Sequence, residues 1–350
     1  MKVLFAIDCP ENQLNPYVFT LINGLKKIDT NIVCDWGISK FWSNNAENFD
    51  IIHIMWPELL LKNTIKTSTD LQNRLIELKE KGVKIVSTCH NLIPHYNNNA
   101  SQIEAYKIVY EMSDQIYHLG NYSLNLFNKT YKNNLLLYHH IYDDRYQHVP
   151  SKQEAVKKLH LDTDKKYILC FGKFRNKEER NLIIELNKTL YAKGIRFLAP
   201  SFYLVTKRRN FILFIWNIIN YLYFKFKYPQ IKMHFLPVPD KDLTYYFSAC
   251  DIVFIQRKKI LNSGNLPLAF YLKKVVVGPN IGNVGSILNE SGNPTFNIDD
   301  EKSILNAIEY GIDFSLKNDK GLENYQLCLQ KFTSESVCKQ LYKYYQILCC

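Results

Sequence analysis

Short apolar runs alternate with segments of helical periodicity along the chain, and this alternation restricts the fold more than any other feature. The apolar runs predict strands at Lys2–Ile7, Asn31–Trp36, Ile51–Met55, Val83–Thr88, Gln115–Leu119, Asn134–Tyr138, Tyr167–Phe171, Ile195–Ala199, Ile231–Leu236, Asp251–Ile255 and Lys274–Gly278. Strands that alternate with helices form parallel sheets with helices on both faces. The sequence therefore predicts an α/β protein.

A polar, charged stretch from Gln147 to Lys166 interrupts this alternation and contains Pro150. Such stretches commonly separate domains, and 350 residues suffice for two domains of ordinary size. We therefore expect an N-terminal domain over 1–150, a second domain over 151–333 and a C-terminal helix over 334–350. Two such domains would face each other across a cleft, where open α/β sheets bind ligands.

The sequence favours a cytoplasmic protein. Its first apolar run ends at Asp8 without a cleavage site of small residues, and no run of 18 apolar residues follows. The nine cysteines are scattered and never in CxxC spacing, which argues against a disulfide framework and against a zinc site.

The net charge of +11 is unevenly distributed. Between Leu186 and Pro239 there is no Asp or Glu, while nine Lys and Arg residues fall in this window. Such a positive field attracts phospholipid headgroups, nucleic acid or a diphosphate-bearing substrate.

Within this window, the apolar run Phe211–Phe224 is flanked by basic residues at both ends. As a helix it would span ~21 Å, short of the ~30 Å hydrocarbon core, which fits a segment lying in the interface of an anionic membrane. The alternative is a core helix with solvated ends. Nucleic-acid binding is not expected, because the aromatics form one run instead of alternating with the charges. The predicted membrane contacts are Lys207, Arg208, Arg209, Phe211, Phe214 and Trp216.

Five short motifs lie at predicted strand ends and in turns. They are Phe49-Asp-Ile-Ile-His-Ile-Met-Trp-Pro-Glu58, Thr88-Cys-His-Asn-Leu-Ile-Pro-His95, Phe171-Gly-Lys-Phe-Arg175, Asn262-Ser-Gly264 and Gly282-Asn-Val-Gly285. In this order the motifs resemble those of bacterial exopolysaccharide glycosyltransferases related to glycosyltransferase family 4. The resemblance implies the GT-B fold, in which two Rossmann-like domains face a cleft and a C-terminal helix can cross back to the first domain.

The resemblance also implies a nucleotide-sugar donor site in the second domain. The departing nucleoside diphosphate gains negative charge, which fixed cations and backbone donors can stabilise in place of a metal, so no cofactor is expected. Arg175 is the first candidate, because a guanidinium matches phosphate oxygens, with Lys173 or Lys177 beside it. A second turn would present backbone N–H groups to the diphosphate, or would simply cap the following helix. The residues of that turn are Ser263, Gly264 and Asn265.

The candidates in the first domain are His90, Asn91, Trp56, Glu58 and His95. His90 and Asn91 would contact the transferred sugar or the leaving phosphate. Trp56 would stack on a sugar ring or pack as a core aromatic. Glu58 and His95 are general-base candidates for an inverting reaction, whereas a retaining reaction needs no protein nucleophile. His53 lies within its strand and is expected in the core.

The sequence departs from family 4 at two carboxylates. Family members commonly carry two glutamates eight positions apart, and these positions fall on Asn262 and Phe270. The exopolysaccharide group often has a glutamate after the G-N-x-G turn, where this chain has Ser286. Glu290 follows four residues later and is the candidate that would compensate.

The function that these features predict is transfer of a sugar from a nucleotide-sugar donor to a lipid-linked saccharide, in surface polysaccharide synthesis. The expected location is the inner face of the cell membrane, with peripheral attachment. Two alternatives remain open. One is a nucleotide-sugar 2-epimerase of the same architecture, and the other is a non-catalytic subunit that supports a partner transferase.

Overall fold

The computed structural model describes residues 1–8, 16–62, 64–94, 99–142, 145–146, 148–203, 211–317 and 319–350, apart from the Asp240 side chain. The chain divides into two compact units, Met1–Tyr142 with Gln330–Cys350, and Asp143–Leu329. The boundary predicted after residue 150 thus falls inside the second unit, and the one predicted after 333 falls inside the last segment of the first.

The first unit contains a six-stranded parallel sheet with helices around it. Its strands are β1 (Lys2–Phe5), β2 (Val33–Trp36), β3 (Ile51–Ile54), β4 (Lys84–Cys89), β5 (Gln115–His118) and β6 (Asn134–Leu136). The sheet order is β2-β1-β3-β4-β5-β6. Its helices are α1 (Tyr17–Ile28), α2 (Ile38–Phe41), α3 (Pro57–Leu61), α4 (Ser68–Glu80), α5 (Ala100–Met112), α6 (Asn121–Phe127) and, from the end of the chain, α15 (Ser334–Cys349).

The second unit repeats this design with another six-stranded parallel sheet. Its strands are β7 (Lys166–Leu169), β8 (Ile195–Leu198), β9 (Ile231–Lys232), β10 (Ile252–Phe254), β11 (Val275–Pro279) and β12 (Thr295–Phe296). The sheet order is β12-β11-β10-β7-β8-β9. Its helices are α7 (Lys152–Lys158), α8 (Lys177–Ala192), α9 (Phe211–Lys227), α10 (Asp240–Ala249), α11 (Asn265–Tyr271), α12 (Gly282–Glu290), α13 (Glu301–Lys317) and α14 (Lys320–Lys331). The predicted α/β architecture is confirmed.

The C-terminal helix α15 packs on α1 in the first unit, as predicted. The two helices approach closely, because a Cβ on Gly24 would lie 2.4 Å from Cys338 Sγ. Tyr345 reaches the sheet, where its hydroxyl lies 2.5 Å from Nδ1 of His53. The other ring nitrogen of His53 lies 2.7 Å from Thr88 Oγ1. His53 is therefore a satisfied core histidine, as predicted.

Within the described ranges, no helix is long and apolar enough to cross a membrane.

The parallel strands of each sheet end at one edge, and that edge is where open α/β sheets bind ligands. In the first unit the neighbours β3 and β4 end just before Trp56 and His90. In the second unit the neighbours β7 and β10 end just before two turns, which we call the β7 turn (residues 171–176) and the β10 turn (residues 256–264). Each unit therefore offers one candidate region.

Candidate functional site

The candidate region of the first unit is a cluster of rings around His90. The His90 imidazole stacks on Trp56, with ring centroids 4.6 Å apart at 23°. The Tyr17 ring meets His90 edge-on at 4.6 Å and stacks on His140 at 4.3 Å. His139 lies edge-on to His90 at 6.4 Å. The structure thus brings the predicted pair Trp56 and His90 together, and adds Tyr17 from the start of α1, for which the sequence carried no signal.

The histidines of this cluster are neutral near physiological pH. Burial lowers the pKa of His90 well below its ordinary value, and the neighbouring His139, His53 and His140 lower it further. Burial also lowers the pKa of His139 to about 4 and that of His140 to about 3. A neutral imidazole offers one donor and one acceptor, so His90 suits hydrogen bonding to a sugar better than binding of a phosphate charge.

Glu58 and Asn91 lie beside this cluster and are held by two tyrosines of α5. The Tyr106 hydroxyl donates to Glu58 Oε2 at 2.6 Å, and the Tyr110 hydroxyl donates to the Asn91 carbonyl at 2.8 Å. Burial raises the pKa of Glu58, against the opposing effect of the Tyr106 hydrogen bond. A raised pKa suits a general base better than an ordinary carboxylate does. The other predicted base, His95, lies outside the described residues.

In the second unit, the β7 turn is shaped by a glycine that approaches other side chains closely. Gly172 has a φ of +96°, and a Cβ there would lie 3.0 Å from Asn265 Nδ2. The Asn265 amide donates to the carbonyl of Phe171 at 2.7 Å. Asn265, the last residue of the predicted turn Ser263–Asn265, therefore fastens the β7 turn.

The predicted cations lie on or directly after the β7 turn. Lys173, Arg175 and Lys177 are all exposed. The backbone N–H of Arg175 donates to Glu179 Oε2 at 2.8 Å. The structure thus places Lys173 and Arg175 in the β7 turn, which the first residue of α11, Asn265, contacts. Lys177 is the first residue of α8.

Sequence reasoning missed a second group of cations, Arg257, Lys258 and Lys259, at the start of the β10 turn. Arg257 Nη1 lies 3.2 Å from Glu179 Oε1, and Nη2 donates to the Lys173 carbonyl at 3.0 Å. The signal was present as the run Gln256-Arg-Lys-Lys259 directly after a predicted strand. Because β10 pairs with β7, both groups of cations lie at the same edge of the sheet.

The rest of the β10 turn packs against α12. The backbone N–H groups of Asn283 and Val284 donate to the Leu261 carbonyl. The side-chain Nδ2 of Asn283 donates to Asn262 Oδ1 at 2.7 Å. Gly282 has a φ of +59°, and a Cβ there would lie 2.5 Å from the Ile260 carbonyl oxygen. The G-N-x-G motif thus has a packing explanation, since the backbone N–H groups of its last three residues already donate to protein carbonyls.

The remaining predicted donor-site residues belong to the β10 turn or to the helices that follow it. Ser263 and Gly264 precede α11, a helix of seven residues. Phe270 is fully buried, so the second carboxylate position of family 4 belongs to the core in this chain. Glu290 is the last residue of α12, about 12 Å along the helix from Gly282, and its Oε1 accepts from Ser286 at 2.7 Å. Glu290 therefore lies at the opposite end of α12 from Gly282, which contacts the β10 turn.

Among the described residues, no group of three or more His, Cys, Asp and Glu side chains could hold a metal ion.

Helix α9 carries the predicted membrane segment and has two different faces. Its inner face contacts the core of the second unit through Phe214, Ile218, Tyr221 and Phe224. Phe214, one of the predicted membrane contacts, is thus half-buried and packs against the core. The outer residues are apolar and 41–79% exposed: Phe211, Ile212, Leu213, Ile215, Trp216, Ile219, Leu222, Tyr223 and Phe226. Lys207, Arg208 and Arg209 lie outside the described residues.

The chain has partial relatives among known sequences. No protein-family model matches the chain. The GDP-mannose:glycolipid 4-beta-D-mannosyltransferase of Xanthomonas campestris pv. campestris is 31% identical over 103 residues. The match covers 27% of this chain and 27% of that relative.

Solved structures resemble the chain over nearly its whole length. Sucrose-phosphate synthase from Thermosynechococcus elongatus has a TM-score of 0.74 at 11% identity, covering 99% of this chain and 98% of that one. Anabaena HepE, solved in complex with UDP, has a TM-score of 0.73 at 12% identity, covering 99% and 100%. Identities this low show the fold alone. Together with the two six-stranded parallel sheets, these similarities show that the chain has the GT-B fold of glycosyltransferases.

Proposed function

We propose that this protein is a glycosyltransferase that moves a sugar from a nucleotide-sugar donor to a lipid-linked saccharide in surface polysaccharide synthesis. The observation that carries the proposal is the pair of cationic turns at the carboxyl ends of β7 and β10. A diphosphate bound at this edge would meet the side chains of Lys173 and Arg175, with Lys258 and Lys259 on the neighbouring turn.

These cations supply what the leaving group requires. Cleavage of the donor's glycosidic bond places negative charge on the nucleoside diphosphate, and fixed cations stabilise that charge in the transition state. We therefore propose that transfer proceeds without a metal ion. Transfer measured after exhaustive treatment with EDTA is expected to match the untreated rate, and restoration by added magnesium or manganese would contradict this part.

Two observations favour a lipid-linked acceptor. The partial relative from Xanthomonas is named for transfer to a glycolipid. In this chain, the outer face of α9 is apolar, and Lys225 and Lys227 lie at its C-terminal end. A helix of this kind binds the interface of an anionic membrane, where the lipid-linked saccharide is located. We propose peripheral attachment to the inner face of the cell membrane.

A thermal-shift screen across UDP, GDP, CMP and dTDP tests donor binding. A ligand that binds only the folded protein stabilises it by about 2.7 kcal/mol at 100 times its Kd, which raises Tm. The screen includes several nucleotides because the Xanthomonas relative is named for GDP-mannose, whereas HepE was solved with UDP. We expect one nucleoside diphosphate to raise Tm more than the others, and no shift with any of them would contradict the proposal.

A transfer assay separates the alternatives. The matching nucleotide-sugar is incubated with lipid-linked saccharide from bacterial membranes, and both donor and lipid fractions are analysed. A transferase moves the sugar into the lipid fraction. A 2-epimerase would convert the donor without an acceptor, and a non-catalytic subunit would neither transfer nor hydrolyse it.

A further inference from the structure

A buried ion pair links the two turns that carry the candidate cations. Arg257 follows β10, and Glu179 lies in the first turn of α8, after the β7 turn. Their closest charged atoms are 3.2 Å apart, and the side chains are only 11% and 4% exposed. Such a pair is a weak source of stability, because desolvation of both charges offsets their attraction. A role other than stabilising the fold therefore explains this ion pair better.

The β7 turn is fastened through its backbone at every second residue. Asn265 holds the carbonyl of Phe171, Arg257 holds the carbonyl of Lys173, and Glu179 holds the N–H of Arg175. Arg257 and Glu179 provide two of these three contacts and also bind each other. The side chains of Lys173 and Arg175 remain exposed while their backbone is fixed.

We propose that Arg257, paired with Glu179, is a positioning residue that fixes the β7 turn so that Lys173 and Arg175 meet the donor diphosphate. This inference rests on the proposed function, because the diphosphate is the donor's. Arg257 acts through the turn, since its guanidinium already binds Glu179 and the Lys173 carbonyl. Fixed cations stabilise a developing charge without reorganisation, whereas a loose turn would have to be ordered on binding.

Substitutions at Glu179 distinguish positioning from simple charge. Glu179→Gln removes a negative charge from a diphosphate site, so electrostatics alone predicts tighter binding. Positioning predicts weaker binding, by about tenfold, for Glu179→Gln and for Arg257→Gln. It also predicts that the double variant binds no more weakly than either single one, because both residues act as a unit. Calorimetric titration with the nucleoside diphosphate from the thermal screen measures this.

A matched control removes another ion pair of the same sheet. Lys152 pairs with the buried Asp251 at 2.6 Å, just before β10 and so at the opposite end of that strand. Lys152→Gln is expected to lower stability without changing nucleotide affinity. If a single variant at Arg257 or Glu179 does not fold, the double variant leaves no unpaired buried charge and can be measured instead.

Amide hydrogen exchange tests the turn without any ligand. Exchange of residues 171–176 is expected to accelerate in Arg257→Gln and Glu179→Gln, and to stay at the wild-type rate in Lys152→Gln. Unchanged exchange in the first two variants, or nucleotide binding as tight as wild type in Glu179→Gln, overturns the inference. Wild-type protein that binds no nucleoside diphosphate would contradict the proposed function, while the exchange result still decides whether the pair orders the turn.

Discussion

His90 is held by ring contacts on two sides, with Trp56 stacked on it and Tyr17 at its edge. Both contacts depend on the shape of the imidazole, whereas hydrogen bonding to a sugar depends on its nitrogens. A phenyl ring would preserve the stacking and abolish the hydrogen bond. One substitution at His90 can therefore separate ring stacking from hydrogen bonding.

His90→Phe is expected to lower kcat by roughly 10- to 100-fold, the effect of losing one hydrogen bond to the reacting sugar, while the folded structure is retained. Donor affinity should change little, because we place His90 at the sugar and the cations at the diphosphate. Steady-state kinetics, with circular dichroism as a folding check, measures both. A normal kcat in this variant would leave His90 a purely structural role.

Arg175→Ala is expected to reduce kcat/KM by roughly 10- to 100-fold, because one charge-assisted hydrogen bond to a phosphate oxygen is lost. The fold should be unaffected, since the side chain is exposed and its backbone N–H still donates to Glu179. Lys188→Ala removes an exposed positive charge from α8, the helix that follows the β7 turn, and serves as the control. Equal kinetics in both variants would argue against Arg175 as a phosphate ligand.

Sequence patterns predict single residues well where the cause is local. His53 lies inside a continuous apolar strand, and its burial follows from that position. Arg257 was missed because its partners are distant in the chain and a basic run resembles a solvated turn. Ser101 and Glu104 have the spacing of a capping box in the sequence, yet both lie inside α5 and the structure uses Asn99 as the helix cap. Ser101 and Glu104 instead bond Ser68 of α4, a contact that local reasoning cannot predict.

At the scale of the element, α9 combines a core contact with an exposed apolar face. The sequence predicted a segment flanked by basic residues but did not decide which side of the helix packs inward. The structure resolves this, because Tyr221 is buried and Phe214 packs against the core, while Trp216 and Ile219 are 61% and 50% exposed. The membrane hypothesis and the core-helix alternative thus apply to opposite faces.

Substitution of the outer face should release the protein from membranes without unfolding it. We expect Trp216→Ser with Ile219→Ser to reduce co-sedimentation with vesicles of anionic phospholipid at both low and high salt, because apolar burial is not screened. Lys225→Gln with Lys227→Gln should weaken binding at low salt, since each basic residue contributes about 1 kcal/mol near an anionic surface and is screened by salt.

The inward residue Phe214 provides the matched comparison. Phe214→Ser is expected to lower the thermal stability of the second unit, because it removes packing against the core. Circular dichroism melting of each variant checks this difference. If wild type does not sediment with anionic vesicles at low salt, the outer face of α9 is not a membrane contact.

For the whole molecule, the alternation of strands and helices was sufficient to predict two parallel α/β domains. This alternation did not predict β12, because a strand of two residues, Thr295–Phe296, is too short to give a periodic signal. It was also insufficient for the order of strands in each sheet, which places β7 beside β10 although 82 residues separate Leu169 from Ile252. The candidate site depends on that pairing, because it brings the two cationic turns together.

The distribution of buried histidines predicts that acid unfolds the first unit before the second. Burial lowers the pKa of His53 to about 3 and that of His118 to about 4, and it lowers the pKa of His90, His139 and His140 as described above. In the unfolded chain these side chains titrate near pH 6.5. As pH falls below that value, the unfolded state binds protons that the folded state does not. Each histidine therefore lowers the free energy of unfolding by up to about 1.4 kcal/mol per pH unit, until its folded pKa is reached.

Urea unfolding at pH 7.5, 6.5 and 5.5, followed by hydrogen exchange in peptides of each unit, measures this loss. We expect peptides of the first unit to lose protection first as pH falls from 6.5 to 5.5. His118→Gln is the control, because it lies outside the ring cluster, removes one titrating group and can keep the hydrogen bond to Asn134. Its stability should fall less steeply with acid than that of wild type. Stability that stays constant from pH 7.5 to 5.5 would show that these histidines are not held neutral by burial.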